Sequence, residues 1–150
     1  MGPDRHASSS ASLRRPSESM SNGPVERGVS EFGDMLGEML AKIPGARGAV
    51  LSDGDDDTID TAHRSGDITV IDVCIAGAQV GQPMVRLTNA AVVFGLGRPQ
   101  VVIESEAGVI ISKLLWREYL LTMVLNRNAN LARAMREFEQ TAESIRRLLE

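Results

Sequence analysis

Between Gln100 and Leu131 the chain reads QVVIESEAGVIISKLLWREYLLTMVLNRNANL, and no other stretch restricts the fold as much. Val101, Val102 and Ile103, then Val109, Ile110 and Ile111, then Leu120, Leu121, Met123 and Val124 form short apolar runs bounded by turn chemistry. They predict strands over Gln100–Glu104, Val109–Leu115 and Tyr119–Leu125, followed by a helix capped near Asn128 or Asn130. Ser105–Gly108 and Trp116–Glu118 are too short for a parallel crossover, which needs a dozen or more residues, so the three strands are antiparallel. Gly108 is placed where a hairpin asks for positive φ. The runs do not alternate between apolar and polar as a half-wet sheet would, so both faces of the sheet are expected to be covered, by helices.

Upstream, Ser30 is a good N-cap with Glu31 and Asp34 behind it, and Phe32, Met35, Leu36, Met39, Leu40 and Ile43 make one helical stripe that Pro44-Gly45 ends. Arg47–Ser52 and Thr58–His63 read as paired strands around the acidic turn Asp53–Asp57. Asp53, Asp55 and Asp57 begin like a calcium loop, but Thr58 stands at its glycine position and Arg64 at its bidentate glutamate, so the segment reads as a turn. From Gly66-Asp67 to Gly95 a long helix is predicted, with Asp67 able to cap it. On its wheel Val70, Val73, Cys74, Val80, Met84, Leu87, Ala91, Val92 and Phe94 gather on a core side with Gly77 and Gly81, which would let another backbone come close. Asp72, Gln79, Gln82, Arg86 and Asn89 gather opposite, and Ile71, Ile75 and Val93 lie among them. Apolar residues within a polar stripe mark a surface that meets another chain. Pro83 is expected to kink or divide the helix. The last helix carries Leu131, Met135, Phe138, Ala142, Ile145, Leu148 and Leu149 as its stripe.

At 150 residues this is one domain and a tail. Residues 1–29, rich in Ser, Gly, Pro and Arg, read as a disordered, solvated tail with no specific role, the alternative being a docking or phosphorylation point at Arg14 and Arg15 beside Ser17 and Ser19. Residues 30–150 make the domain. A net charge of −4 without a basic patch argues against nucleic acid, and a single cysteine, Cys74, cannot form an intramolecular disulfide. No apolar run is long enough for a membrane helix and the N-terminus lacks a secretory core, so a cytoplasmic location is expected. No phosphate loop or complete dinucleotide fingerprint occurs. His63 lacks a second ligand at metal spacing, Cys74 lies on the apolar helix side, and Glu104 and Glu106 merely flank a turn. No metal, no cofactor and no catalytic residues are expected.

The element order is thus α-β-β-α-β-β-β-α: an α/β chain of α+β type with a five-stranded antiparallel sheet and helices on both faces. Within it, FGDMLGEMLAKIPGARGAVLSDGDDDTI resembles the opening of the dynein light chain roadblock family, where a first helix ends in an I-P-G turn before a strand and an acidic hairpin. QVVIESEAGVIISKLL and YLLTMVLNRNANLARAMREF are similar to the family's closing strands and last helix. The resemblance spans Ser30–Glu150; Pro83 and the tail depart from it. It implies a protein without catalytic residues that dimerises by joining sheets edge to edge and packing second helices together. Bacterial members regulate or scaffold small Ras-like GTPases, some by reshaping the GTPase instead of donating an arginine. Eukaryotic relatives sit in dynein and nutrient-signalling scaffolds.

The expected function is therefore a non-enzymatic, homodimeric regulator or adaptor of a small Ras-like GTPase. Asp72, Gln79, Gln82, Arg86 and Asn89 would meet the partner. Ile71, Ile75, Val93, Val101, Val102 and Ile103 would form the dimer interface. Val101–Ile103 contains no Lys or Pro to blunt a sheet edge, which supports pairing independently of the family. The alternatives are a scaffold subunit with no GTPase partner, binding other proteins through its sheet edge or tail, and a small-molecule sensor, which would need a buried polar cluster that the sequence does not show.

Overall fold

The computed structural model describes residues 23–66 and 68–150. In chain order these form β1 (Val25–Arg27), α1 (Glu31–Ala41), β2 (Ala46–Ser52), β3 (Thr58–Arg64), α2 (Val70–Val93), β4 (Gln100–Glu104), β5 (Gly108–Trp116), β6 (Tyr119–Asn126) and α3 (Leu131–Leu149). The strands make one antiparallel sheet in the order β1-β3-β2-β6-β5-β4. The sheet thus has six strands, not five. The sixth, Val25–Arg27, lies in the segment that composition assigned to the tail, and it pairs Val25, Glu26 and Arg27 with Arg64, His63 and Ala62. Three residues between Pro24 and Gly28 are too few to show a period. This strand is held by a pre-existing edge and by one apolar residue, Val25, which packs against the core. Arg14, Arg15, Ser17 and Ser19 lie outside the described residues.

Helices cover both faces. On one, α1 and α3 bury Leu36, Met39, Leu40, Ile43, Phe138 and Ile145 against Leu51, Ile111, Leu121, Met123 and Leu125 of the strands. On the other, Met84 of α2 packs on Leu114 and Leu120, with Val80 and Val101 beside them. Double coverage is why the strand runs do not alternate. The helix also comes close to β2, since a Cβ on Gly77 would stand 2.7 Å from Val50 Cγ1. Gly108 serves another purpose than expected. It is not among the positive-φ residues; a Cβ there would stand 2.9 Å from the Leu125 carbonyl oxygen. The positive φ falls instead on Arg117 (52°), in the two-residue turn between β5 and β6, where Arg117 also lies over the Trp116 ring.

Helix α1 is clasped at both ends by β3. Ser30 caps its start, accepting from the Gly33 N–H at 3.4 Å. The Asp60 carboxylate in turn accepts from the Ser30 hydroxyl and from the Ser30 N–H at 2.8 Å. At the far end the Arg64 guanidinium donates to the carbonyls of Leu40 (2.7 Å) and Ile43 (3.4 Å), and to those of Ala46 (2.8 Å) and Gly23 (3.1 Å). Both side chains are 8% exposed. Burial alone would raise the Asp60 pKa; the hydrogen bonds from Ser30, Thr61 and Gly33 outweigh it and hold the carboxyl below its ordinary value. A depressed folded-state pKa stabilises the fold fully above the unfolded value and ceases to do so as pH falls through the folded one. Urea midpoints measured between neutrality and pH 3 should therefore decline below about pH 4, and Asp60→Asn should flatten that decline.

Helix α2 begins at Thr69, which forms a capping box with Asp72: the Thr69 hydroxyl accepts from the Asp72 N–H (3.1 Å) and donates to its carboxylate (2.9 Å). Thr69 thus takes the capping role expected of Asp67, which lies outside the described residues. Pro83 does not divide the helix, which runs unbroken over 24 residues. Pro83 is exposed, so the carbonyl deprived of its helical donor is on the wet side.

Candidate interaction surface

At about 100° per residue, the buried positions of α2 (Val73, Gly77, Gly81, Met84, Thr88 and Ala91) occupy an arc of only roughly 80°. That arc is narrower than the core side expected from sequence. Leu87 (48% exposed), Val92 (60%) and Phe94 (78%) lie at its margins, and Val70 (42%) shares its direction but is the first residue of the helix. Cys74 is half-buried and free. Thr88 takes a core place that sequence did not give it, and its hydroxyl has no hydrogen-bond partner among the described residues.

The opposite side of α2 is as expected in its exposure. Asp72, Gln79, Gln82, Arg86 and Asn89 are all exposed, and so are Ile71 (66%), Ile75 (52%) and Val93 (80%). The same wheel resolves two adjacent lanes within this side. Ile71, Ile75, Gln82, Asn89 and Val93 fall within roughly 40° of one another, and Asp72, Gln79 and Arg86 fall beside them. The first lane is apolar at both ends and polar in the middle, and Gln82 is midway between Ile71 and Val93. Two such helices crossing antiparallel would set the isoleucines of each against Val93 of the other.

Beside this helix lies an open sheet edge. Strand β4 pairs with β5 through Gln100↔Lys113 to Glu104↔Val109, and no described strand covers its other side. Its side chains divide between the faces. Val102 packs into the α1–α3 core and Val101 under α2. Ile103 is 44% exposed, on the α2 face by alternation from Val101. What β4 presents at its edge is thus mostly backbone. Val92, Phe94 and Leu96 (76% exposed) extend the apolar surface past Val93 towards this edge strand. The run Ala90–Phe94 is apolar all round, a sign in the sequence that more than one helix face is covered or waiting to be.

Two charged features lie elsewhere. A surface cleft of about 320 Å³ runs between Arg98, Lys113 and α3, and its charges are largely compensated. Lys113 Nζ meets Glu139 at 2.8 Å, and Arg146 bridges Glu143 and Glu150 at 2.6 Å each. The hydrogen bond from Arg146 is the main cause that holds the Glu143 carboxyl at about 2. In the acidic turn, Asp53 spends its carboxylate on the N–H groups of Asp55 (2.9 Å) and Asp57 (3.1 Å). Among the described residues no group of three or more His, Cys, Asp or Glu is placed to hold a metal. His63 is near Glu26 at 3.6 Å, and no described helix is long and apolar enough to cross a membrane.

No protein-family model and no curated protein sequence matches the chain. Solved structures do. A Roadblock/LC7 domain from Streptomyces avermitilis is 18% identical, with 77% of this chain and 94% of that one covered and a TM-score of 0.65. The gliding protein MglB from Thermus thermophilus is 18% identical over 77% and 86% of the two chains, with a TM-score of 0.68. MglC from Myxococcus xanthus is 21% identical over 78% and 98%, with a TM-score of 0.54. The strand order, the two helical layers and these superpositions agree: the chain has the Roadblock/LC7 fold.

Proposed function

We propose that the protein is a non-enzymatic, dimeric regulator or adaptor of a small Ras-like GTPase. One observation carries this reading: an exposed stripe on α2, apolar at its ends, lies beside an open and unblunted sheet edge. A surface of that kind is a template for a second copy. The dimer joins β4 edges and packs the Ile71–Val93 lanes of two α2 helices antiparallel. Asp72, Gln79 and Arg86 then flank the seam and face the GTPase, with Gln82 and Asn89 at the boundary. The likeness of fold to MglB and MglC and the resemblance of the helix–strand motifs to the roadblock family support the choice of partner. Light scattering of the full chain, alone and with candidate small GTPases bound to GDP or a GTP analogue, tests it. Two protomers that gain mass with the GTP-like state are expected. Arg86→Glu should weaken that association about tenfold, the loss of one flanking charge contact of roughly 1.4 kcal/mol, and leave the two-protomer mass unchanged. Two protomers indifferent to every GTPase would favour a scaffold subunit.

A further inference from the structure

Among the described residues the sheet ends at β4 on one side and at β1 on the other, and β1, a strand of only three residues, covers the outer edge of β3. Its ladder with β3 is short, while Val25 packs against the α1–α3 core and Arg27 donates to the Asp34 carbonyl of α1 (3.4 Å). Gly28 N–H donates to the Thr61 carbonyl (2.8 Å) and Ser65 N–H to the Pro24 carbonyl (3.0 Å), and the alternation of an antiparallel ladder turns Glu26 N–H towards β3 as well. The Ser65 hydroxyl reaches Glu26 at 2.6 Å, and Arg64 touches Gly23. Beyond Ala62 the β3 residues Thr58–Asp60 pair with no described strand on that side.

We propose that β1 is an edge cap that stops self-assembly at the dimer, and that the surface beneath it, the outer edge of β3, accepts the β3 edge of a second copy. The inference rests on the β4-edge dimer described above. A protomer that pairs through β4 alone makes a closed two-fold particle. A protomer that also exposes β3 has two different self-complementary edges, and each new copy carries a free edge into the next. Such an assembly extends without closing. Continuity of the sheet is what makes the second copy the occupant. β3 carries no proline, and its extended backbone is in register with β2 from His63 to Asp60, with a one-residue bulge at Ile59 before Thr58 pairs with Ser52. An unpaired edge of that kind is blunted in folded proteins by a short strand or a covering segment, and β1 is both.

Two variants test this, each checked first by circular dichroism for the secondary structure of the full chain. Glu26→Pro in the full chain removes a ladder donor and leaves the core residues in place. A chain starting at residue 29 lacks the cap altogether. Light scattering across a concentration series should show the full chain at two protomers and both variants rising to about four or more, with a peptide of residues 23–29 (GPVERGV) returning the truncated chain to two. Growth that the peptide does not reverse is misfolding and overturns the proposal. So does a natively folded variant that keeps the mass of the full chain, while the β4 dimer then stands. A monomeric full chain whose variants become dimers would instead support the cap and remove the β4 dimer. If truncation costs the fold, Glu26→Pro decides alone, and a Glu26→Pro chain that itself loses the native spectrum overturns the cap, because a removable cap must leave the domain folded.

Discussion

Arg64→Met is expected to lower the unfolding free energy by about 3 kcal/mol, a large share of the 5–15 kcal/mol that holds a domain of this size together. Methionine keeps the length and apolar stem of the side chain but donates nothing. The carbonyl of Leu40 accepts from the Ile43 N–H (3.1 Å) and that of Ile43 from the Ala46 N–H (3.0 Å), and Arg64 gives each a second, charged donor from inside the fold. A hydrogen bond from a charged donor contributes about 1.5–3 kcal/mol, and the backbone donors retained at Leu40 and Ile43 keep the total loss to a fraction of the four-bond sum. Arg64→Lys should recover only part of the loss, because one compact ammonium cannot span the carbonyls of Leu40, Ala46 and Gly23 as a planar fork does. Urea unfolding reads both: the midpoint should fall with the slope unchanged. A loss under about 1 kcal/mol would mean that water reaches the end of α1 and replaces the guanidinium.

This clasp was not legible in the sequence, and the reason is physical. Arg64 looked like the failed last ligand of a calcium loop, and Asp60 like one more acid after an acidic turn. Their partners at the two ends of α1 lie more than twenty residues away, the Ser30 hydroxyl and N–H for Asp60 and the carbonyls of Leu40 and Ile43 for Arg64, and a backbone group leaves no mark on residue type. The helix they hold was legible, because Ser30 and the Phe32–Ile43 stripe are local. So were the three C-terminal strands and their antiparallel sense, fixed by short connections. β1 escaped because a three-residue strand draws its stability from the edge it joins. The core arc of α2 was drawn too wide because a helical wheel shows direction but not how far the underlying sheet extends; Val92 and Phe94 project beyond it. The exposure of the outward set was legible for the complementary reason: Asp72 meets the neighbouring cap residue Thr69, and Gln79, Gln82, Arg86 and Asn89 are exposed, so the wheel alone turns them outward.

Ile71→Asp combined with Ile75→Asp should turn the dimer into a monomer while leaving the domain as stable as before. In a two-fold dimer each substitution occurs twice, so four isoleucine side chains leave the seam and four carboxylates enter it. Full burial of one isoleucine contributes about 1.5–3 kcal/mol. If the seam recovers even a quarter of that from each of the four, the lost affinity is about 1.5–3 kcal/mol, roughly ten- to a hundredfold in the dissociation constant. Carboxylates forced against Val93 of the partner, without a hydrogen-bond donor, add a desolvation penalty in the same direction. The domain itself should not notice, since Ile71 and Ile75 are 66% and 52% exposed and neither contributes to the core clusters. Leu148→Asp is the matched control, because Leu148 is 48% exposed on α3, across the sheet from α2. It should change neither the mass nor the melting temperature. Sedimentation of the three proteins then separates the two parts of the proposed interface. A double variant that remains dimeric would place the association in the β4 backbone alone, where side-chain charge on α2 has no purchase, and would free the whole outer face of the helix for a partner.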